Sequence, residues 1–168
     1  SYLKNPQPVS DNLLYGEFHE NSKHTTRMPY MEAVYDVLEK NHGKVIYFDF
    51  WARWCPPCLT EMEPLKQLRS KFSTNDLIIY SICVSEPKEQ WEECLNEYSL
   101  KNCGIECVHV TDYLGIDNYQ KIRKQWKIDR IPYYILINRK GQIIDFGATA
   151  RPSNPQLVSR IEDAVNSK

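Results

Sequence analysis

The chain has 168 residues and a mass of 19.8 kDa, the size of one domain built around one hydrophobic core. Hydrophobic residues make up 42% and charged residues 26% of it, with only six Gly and ten Pro, which excludes a collagen-like, low-complexity or wholly disordered chain. The 21 Lys and Arg nearly balance the 22 Asp and Glu. No general positive field is therefore available to hold nucleic acid or an anionic membrane.

The first 27 residues differ in composition from the rest. They are rich in Asn, Ser, His, Lys and Pro, and we predict an N-terminal extension over 1–27 that contains one strand. The opening lacks the apolar region of a signal peptide, and nowhere does an apolar stretch approach the roughly 20 residues that span a bilayer. Because the chain begins with Ser rather than Met, we expect a mature product or a piece of a longer chain. Residues 28–168 are predicted to form the domain.

Hydrophobic periodicity after the extension predicts alternating helices and strands. In chain order, it predicts a helix over 31–38, a buried strand over 45–51, a helix over 56–72 bent at Pro64, a buried strand over 77–84, a helix over 91–98, a short strand over 105–110, a helix over 116–126, a hairpin of 133–137 and 143–146, and a last helix capped by Asn154. Strands separated by helices indicate right-handed parallel crossovers, and the hairpin adds antiparallel strands. The predicted class is α/β, with a central mixed sheet flanked by helices.

The most informative motif is Trp54-Cys55-Pro56-Pro57-Cys58, between a predicted buried strand and a predicted helix. Unpaired N–H groups and the dipole at a helix N-terminus stabilise an anion, so we expect the pKa of the Cys55 thiol to fall. The spacing brings both sulfurs onto one turn, within reach of a disulfide. Pro56 and Pro57 stiffen that turn and remove only N–H groups that would be unpaired there. We predict that Cys55 attacks a partner's disulfide and that Cys58 resolves the mixed disulfide.

A Cys-x-x-Cys pair is also half of many zinc sites, which need a second pair of ligands. The other candidates, Cys103 and Cys107 with His109, have a longer gap and lie in a predicted loop. A redox pair is therefore the favoured interpretation. The four histidines show no ligand spacing, and none is assigned a role.

The sequence resembles the thioredoxin superfamily, and more closely its periplasmic thiol-disulfide oxidoreductases of the TlpA/ResA type, as found in Bacteroidetes. The resemblance covers 31–165 and rests on YFDFWARWCPPC ending at Cys58, on Glu61-Met62, on RIP ending at Pro132 and on RPS ending at Ser153. It implies a thioredoxin fold and a reductase that exchanges a disulfide with protein thiols and disulfides. It also implies no cofactor beyond the redox-active disulfide, no metal, a membrane electron donor, and a periplasmic or other extracytoplasmic location.

The resemblance assigns roles to residues around the cysteine pair. Asp49 stands where thioredoxins carry a buried acid that helps to deprotonate Cys58, and a buried carboxyl has a raised pKa that suits a general base. Glu61 stands where the ResA-like branch carries an acid that influences both cysteines. The alternatives are a strand-end Asp49 that reaches solvent and a solvated Glu61. Ile131-Pro132 is expected to be cis, to face the pair and to bind an extended substrate segment.

A contact surface for partners is expected around the pair, with the reactive cysteine exposed and its partner mostly buried. Trp54 and the two prolines of the motif are predicted to supply part of it, whereas Trp51 ends a buried strand and is predicted to be core. By resemblance, Gly147 and Arg151 lie on a neighbouring loop. Gly147 is expected to let a substrate backbone approach. The sequence leaves three roles open for Arg151: a surface residue, a structural contact near the cap of the last helix, or a charge in the substrate groove.

The sequence leaves three alternative functions open. The Pro56-Pro57 pair also occurs in tryparedoxins and nucleoredoxins, which lack the Glu61 and Ser153 motifs. A peroxiredoxin-type thiol peroxidase would carry Thr three residues before its reactive cysteine, where this chain has Ala52. A non-catalytic module that keeps only the fold is the third alternative. Pro56-Pro57 contains no His of the kind that strongly oxidising relatives use, which favours a reductant.

Four further cysteines complete the sequence. Cys83 lies in a predicted buried strand and Cys94 on an apolar helix face, so both are predicted to be small core residues. The sequence does not decide whether Cys103 and Cys107 form a structural disulfide or remain free thiols. A disulfide between Cys94 and Cys103 is the weaker option. A structural disulfide would agree with an oxidising compartment.

Overall fold

The computed structural model describes residues 28–167 and, in the N-terminal segment, two short strands, β1 (Phe18–His19) and β2 (His24–Thr25), which pair antiparallel. One strand was expected in this segment, and two are found. The remainder of the predicted extension lies outside the described residues. The domain boundary at residue 28 stays a prediction.

Within residues 28–167 the chain forms five strands and seven α-helices. The strands are β3 (Val45–Trp51), β4 (Leu77–Cys83), β5 (Glu106–His109), β6 (Tyr133–Ile137) and β7 (Ile143–Gly147). The helices are α1 (Glu32–Lys40), which follows a 3-10 turn at Pro29–Met31, then α2 (Pro56–Thr60), α3 (Met62–Lys71), α4 (Lys88–Glu97), α5 (Val110–Tyr113), α6 (Ile116–Gln125) and α7 (Pro155–Asn166).

The five strands form one mixed sheet in the order β5-β4-β3-β6-β7. β3, β4 and β5 are parallel, and β6 and β7 are antiparallel to their neighbours. The predicted central mixed sheet is confirmed, including the antiparallel strands that the hairpin contributes. In this order β3 is the middle strand. The cysteine motif, which follows the carboxyl end of β3, therefore lies near the middle of the sheet edge where the strand ends meet.

β3 is buried on both faces, as its continuous apolar run predicts. Alternate side chains point to opposite faces. Ile46, Phe48 and Phe50 pack in the core that includes residues of α1 and α6, whereas Tyr47 packs in the core that includes residues of α3 and α7. Asp49 alternates with Phe48 and Phe50, so the strand places its carboxyl on the same face as α3 and α7.

The prediction of a single helix over 56–72 is wrong. Two helices occupy this stretch, and the helical structure is interrupted between them at Glu61. Pro64 explains the break. Its ring clashes with the carbonyl four residues earlier, that of Thr60, and it has no N–H to bond that carbonyl. The bend therefore appears three residues before the proline, and Glu61 is removed from a helix interior.

The other elements agree with their predicted positions within a few residues. The strand predicted over 105–110 is shorter, because Val110 already begins α5. Asn154 caps α7 as predicted, since its side chain accepts from the N–H of Gln156 at 3.1 Å, and Pro155 is the first helical residue. Among the described residues, no helix combines the length and apolar character that crossing a membrane requires.

Candidate active site

Cys55 and Cys58 are joined by a disulfide at the N-terminus of α2, with their Cα atoms 5.2 Å apart. Cys55 is the N-cap residue, with extended backbone angles, and Cys58 lies in the first turn. The short loop from the end of β3 leads directly into this cap. The pairing predicted from the spacing is therefore present.

The sulfur of Cys55 is held at the positive end of α2. Its Sγ accepts a hydrogen bond from the backbone N–H of Cys58 at 3.3 Å. The same N–H lies 3.0 Å from the Cys55 carbonyl oxygen, which closes the turn. An amide directed at a sulfur is the environment that favours a thiolate once the disulfide is reduced. The lowered pKa of Cys55 stays a prediction.

The disulfide is less exposed than expected. Cys55 is 5% and Cys58 2% exposed, so the expected order holds, but the expectation of an exposed reactive cysteine is wrong for this oxidised pair. The two residues belong to a cluster with Trp51 and Met62, and Ile131 packs against that cluster from the loop before β6. This packing covers the sulfurs.

The peptide bond between Ile131 and Pro132 is cis, as the resemblance implied. It immediately precedes β6, the strand that pairs with β3, and so lies at the same sheet edge as the disulfide. A second cis bond, between Glu86 and Pro87, was not predicted. The Glu-Pro dipeptide does not by itself predict a cis bond, because any peptide bond before proline can be either cis or trans.

Asp49 is a buried acid, which rules out the alternative of a carboxyl that reaches solvent. It is 3% exposed, and its Oδ2 accepts a hydrogen bond from the Ser81 hydroxyl at 3.3 Å. The pKa of Asp49 is raised to about 7, chiefly by burial; the hydrogen bond from Ser81 opposes the rise, and the negative charge of Glu61 adds to it. At neutral pH this carboxyl is present in both protonation states. It can therefore accept a proton or donate one.

Glu61 is also buried, at 8% exposure, and the alternative of a solvated helix residue is wrong. Its two carboxylate oxygens accept from Ser153, from the backbone N–H at 2.8 Å and from the hydroxyl at 2.7 Å. The helix break turns Glu61 towards the segment that precedes α7. Two sequence motifs that lie 92 residues apart thus meet in one pair of hydrogen bonds.

A cleft of 290 Å³ lies beside the exposed indole of Trp54, which is 64% accessible. Ile131 lines the cleft together with Tyr119 and Arg123 of α6. The sequence indicated Trp54 and Ile131 but missed the two α6 residues, whose helical spacing identified only a helix. Trp51 is 0% exposed and is a core residue as predicted.

Comparison with known proteins agrees with this geometry. The family model described as Redoxin matches residues 25–165. The chain belongs to the Redoxin family. A Bacteroides vulgatus protein assigned as a thiol-disulfide oxidoreductase is 34% identical, with a TM-score of 0.59 and coverage of 75% of this redoxin and 76% of that chain. The resemblance stated from the sequence is confirmed.

Two further relatives share the fold or part of the sequence. The thioredoxin domain of another Bacteroides vulgatus thiol-disulfide oxidoreductase has a TM-score of 0.64 at 23% identity, covering 77% of this redoxin and 84% of that chain. The thiol-disulfide oxidoreductase ResA of Bacillus thuringiensis strain Al Hakam is 26% identical over 108 residues. That alignment covers 64% of this redoxin and 57% of ResA, so the redoxin spans little more than half the length of this curated relative.

The resemblance places Gly147 and Arg151 on a loop beside the cysteine pair, and that placement stays a prediction. Gly147 ends β7 with φ of +100°, a conformation that favours glycine, and a Cβ there would meet no atom within 4 Å. Arg151 is exposed, which agrees with the surface alternative.

The other four cysteines of the redoxin are free thiols. Cys83 and Cys94 are buried in the cluster behind the disulfide, as predicted for small core residues. Cys103 and Cys107 are partly buried and unbonded to each other, and neither of the two disulfides considered from the sequence is present. Across the described part of the chain, no three His, Cys, Asp or Glu side chains are grouped as a metal ion would require.

His109 has a structural position that its sequence did not reveal. It is 1% exposed, its Nε2 lies 2.8 Å from the Ser85 carbonyl oxygen, and its Nδ1 accepts from the N–H of Thr111 at 3.3 Å. Its ring packs against Trp91 at 5.5 Å between centroids. These bonds require the neutral ring with its proton on Nε2. His109 therefore joins β5 to the loop that follows β4.

Proposed function

We propose that this redoxin is a thiol-disulfide oxidoreductase that acts on protein thiols and disulfides. The observation that carries the proposal is the Cys55–Cys58 disulfide at a helix N-terminus, on the same sheet edge as a cis proline. The relatives named as thiol-disulfide oxidoreductases support it.

In the reductive direction, the reaction begins with both cysteines reduced. The Cys55 thiolate attacks one sulfur of a partner disulfide, a mixed disulfide forms, and the partner's other sulfur leaves as a thiolate. The N–H of Cys58, which bonds the Cys55 sulfur, stabilises the attacking anion. Cys55 is therefore the nucleophile of the first step.

Cys58 completes the reaction. Asp49 accepts the Cys58 proton, and the resulting thiolate attacks the Cys55 sulfur, which re-forms the Cys55–Cys58 disulfide and releases the reduced partner. A carboxyl with a pKa of about 7 is suited to this transfer because proton acceptance and return have similar free energies near neutral pH. Glu61 is a positioning residue, whose charge adds to the rise in the pKa of Asp49 that burial causes and whose bonds to Ser153 hold the helix break.

Substrate binding is assigned to the surface around the disulfide. The backbone of Ile131, before Pro132, offers hydrogen-bonding groups to an extended segment, which gives affinity with little side-chain selectivity. Trp54, which lines the cleft, and the exposed Pro56 and Pro57 add apolar contact area. The exposed indole is the largest apolar group available there.

We further propose that the redoxin is a reductant in the periplasm or another extracytoplasmic space, recharged by a membrane electron donor. The resemblance to the TlpA/ResA type and the Pro56-Pro57 dipeptide support this direction. Equilibration with glutathione tests it. A potential near or below about −250 mV agrees with a reductant, whereas a value near −120 mV would reverse the direction.

Insulin reduction driven by a chemical dithiol tests the activity. We expect turnover by the native protein, none by Cys55→Ser, and accumulation of mixed disulfides with lysate proteins by Cys58→Ser. Cys94→Ser, a substitution of a buried free cysteine, is the matched control and should keep turnover. Equal rates for the native protein and Cys55→Ser would refute the mechanism. Consumption of hydrogen peroxide with a thiol donor, without insulin reduction, would instead support the peroxidase alternative.

A further inference from the structure

Cys103 and Cys107 converge on the backbone oxygen of Leu100, a residue of the cluster that also contains the disulfide. The thiol of Cys103 donates to the Leu100 carbonyl at 3.0 Å, and the thiol of Cys107 approaches the same oxygen at 3.7 Å. Cys103 lies in the loop between α4 and β5, and Cys107 lies in β5. Two sulfurs, one from the loop and one from the edge strand, therefore lie against a single acceptor.

We propose that Cys103 and Cys107 are a second redox pair, which closes into an intramolecular disulfide when the protein meets a low-molecular-weight disulfide. The proposal stands on the positions of the two thiols and does not depend on the proposed function. Closure would tie the loop after α4 to the edge strand of the sheet. Gly104, with φ of +86°, lies between the two cysteines.

The Arg69 side chain lies next to Cys103, which is the sulfur expected to react first. The Arg69 side chain lies against this turn, since a Cβ on Gly104 would stand 3.3 Å from its Cδ. Its guanidinium is charged, donates to the Leu77 and Phe72 carbonyls, and interacts electrostatically with Cys103. The carbonyls are neutral acceptors and leave the positive charge available to a Cys103 thiolate.

Cys107 is suited to the second step only. It pairs in register with Ser81 of β4, and burial raises the pKa of its thiol to about 12. A neutral thiol does not attack a free disulfide at a useful rate. Both sulfurs lie against the same Leu100 carbonyl oxygen, so once Cys103 carries a mixed disulfide this proximity compensates for the low thiolate fraction of Cys107.

The chemistry balances with glutathione disulfide as the oxidant. The Cys103 thiolate attacks one glutathione sulfur, which forms a Cys103–glutathione bond and releases one glutathione thiolate. Cys107 loses its proton to solvent and attacks the Cys103 sulfur, which forms the Cys103–Cys107 bond and releases the second glutathione. The protein thus loses two electrons and two protons, and one glutathione disulfide becomes two glutathione thiols.

Peptide mapping of the full reduced chain tests the proposal. The protein is incubated with glutathione disulfide, quenched with iodoacetamide at intervals and digested with trypsin, which releases residues 102–121 with both cysteines. We expect a glutathione adduct on Cys103 first, followed by the same peptide two hydrogens lighter. The rate of closure should rise about tenfold per pH unit between pH 7 and pH 9, because the Cys107 thiolate fraction does.

Variants distinguish this pair from other disulfides. Cys107→Ser should stop at the Cys103 adduct, Cys103→Ser should form neither adduct nor bridge, and Cys94→Ser should close at the native rate. Two results would overturn the proposal. One is that Cys94→Ser fails to form the Cys103–Cys107 disulfide. The other is that iodoacetamide still alkylates both Cys103 and Cys107 long after the Cys55–Cys58 disulfide has re-formed. Insulin reduction by Cys103→Ser and Cys107→Ser should match the native rate, so the two proposals fail separately.

Discussion

At the scale of single residues, Asp49 is the proposed proton acceptor and should determine how the site depends on pH. Its pKa of about 7 makes it a proton acceptor above neutrality and a neutral acid below. We predict that the rate at which Cys58 releases a mixed disulfide rises with pH through about 7 in the native protein. Asp49→Asn should be slower, by about tenfold to a hundredfold at pH 8, and should lose this rise. Stopped-flow measurement of product release against pH checks both points, and an unchanged profile would remove Asp49 from the mechanism.

The same carboxyl gives folding stability a pH dependence of defined sign. Its pKa is about 7 when folded and near 3.8 when unfolded, so the folded state binds an extra proton between these values and the free energy of unfolding falls as pH rises from 4 to 7. About three pKa units correspond to at most about 4 kcal/mol. Urea denaturation of the oxidised protein should therefore find Asp49→Asn more stable than native at pH 8, with a much smaller difference at pH 4. A larger gain at pH 4 would contradict the assignment.

Ser81 modulates the pKa of Asp49 through its hydroxyl, which donates to the carboxylate at 3.3 Å. Ser81→Ala removes a hydrogen bond that favours the charged form, so the pKa of Asp49 should rise by about one unit. The midpoint of the pH profile for release of the mixed disulfide should move upward by the same amount. Ser81→Thr keeps a hydroxyl and is the matched control, with a midpoint close to native.

At the scale of secondary-structure elements, the break between α2 and α3 links the cysteine motif to the segment before α7. Pro64 causes the break. Glu61 lies at the break, outside both helices, and its carboxylate accepts a hydrogen bond from the Ser153 hydroxyl. The contact ties the C-terminal helix to the helix that carries Cys58.

Ser153→Ala tests this link. It removes the hydroxyl donor 2.7 Å from a buried carboxylate, and the free energy of unfolding should fall by about 1 to 3 kcal/mol. Ser70→Ala, at an exposed serine on α3, is the control and should change it by less than about 0.5 kcal/mol. Urea denaturation at pH 7 measures both, and equal small changes would show that the link is not structural.

At the scale of the whole molecule, the partner surface is assembled from distant segments. Trp54 comes from the loop after β3, Ile131 from the loop before β6, and Tyr119 from α6. The sheet order makes this assembly possible, because β6 lies next to β3 although more than 80 residues separate them. In the proposed function, this surface binds the backbone and apolar groups of a partner.

Trp54→Ala should affect partner binding with little effect on the fold, since its side chain is 64% exposed. We expect kcat/KM for insulin to fall about tenfold, equivalent to about 1.4 kcal/mol, while reduction of glutathione disulfide changes less than about twofold. Ile116→Ala, at another large exposed apolar side chain, is the matched control. A parallel fall in both activities would place Trp54 in the chemistry rather than in binding.

Local signals in the sequence determined the order of elements, the buried character of β3, the disulfide at the start of α2 and the cap at Asn154. These features depend on residues close together in the chain, where periodicity, turn chemistry and helix capping operate. The resemblance added Asp49 and Pro132, whose roles depend on neighbours far away in sequence.

Tertiary structure alone decided the features that depend on distant contacts. It covered Cys55, bonded Glu61 to Ser153 and buried His109 against the Ser85 carbonyl. Periodicity reports which face of an element is apolar, but it carries no information about which polar group on another element meets that face. Those pairings arise when the helices pack on the sheet, and there each buried polar atom requires a partner.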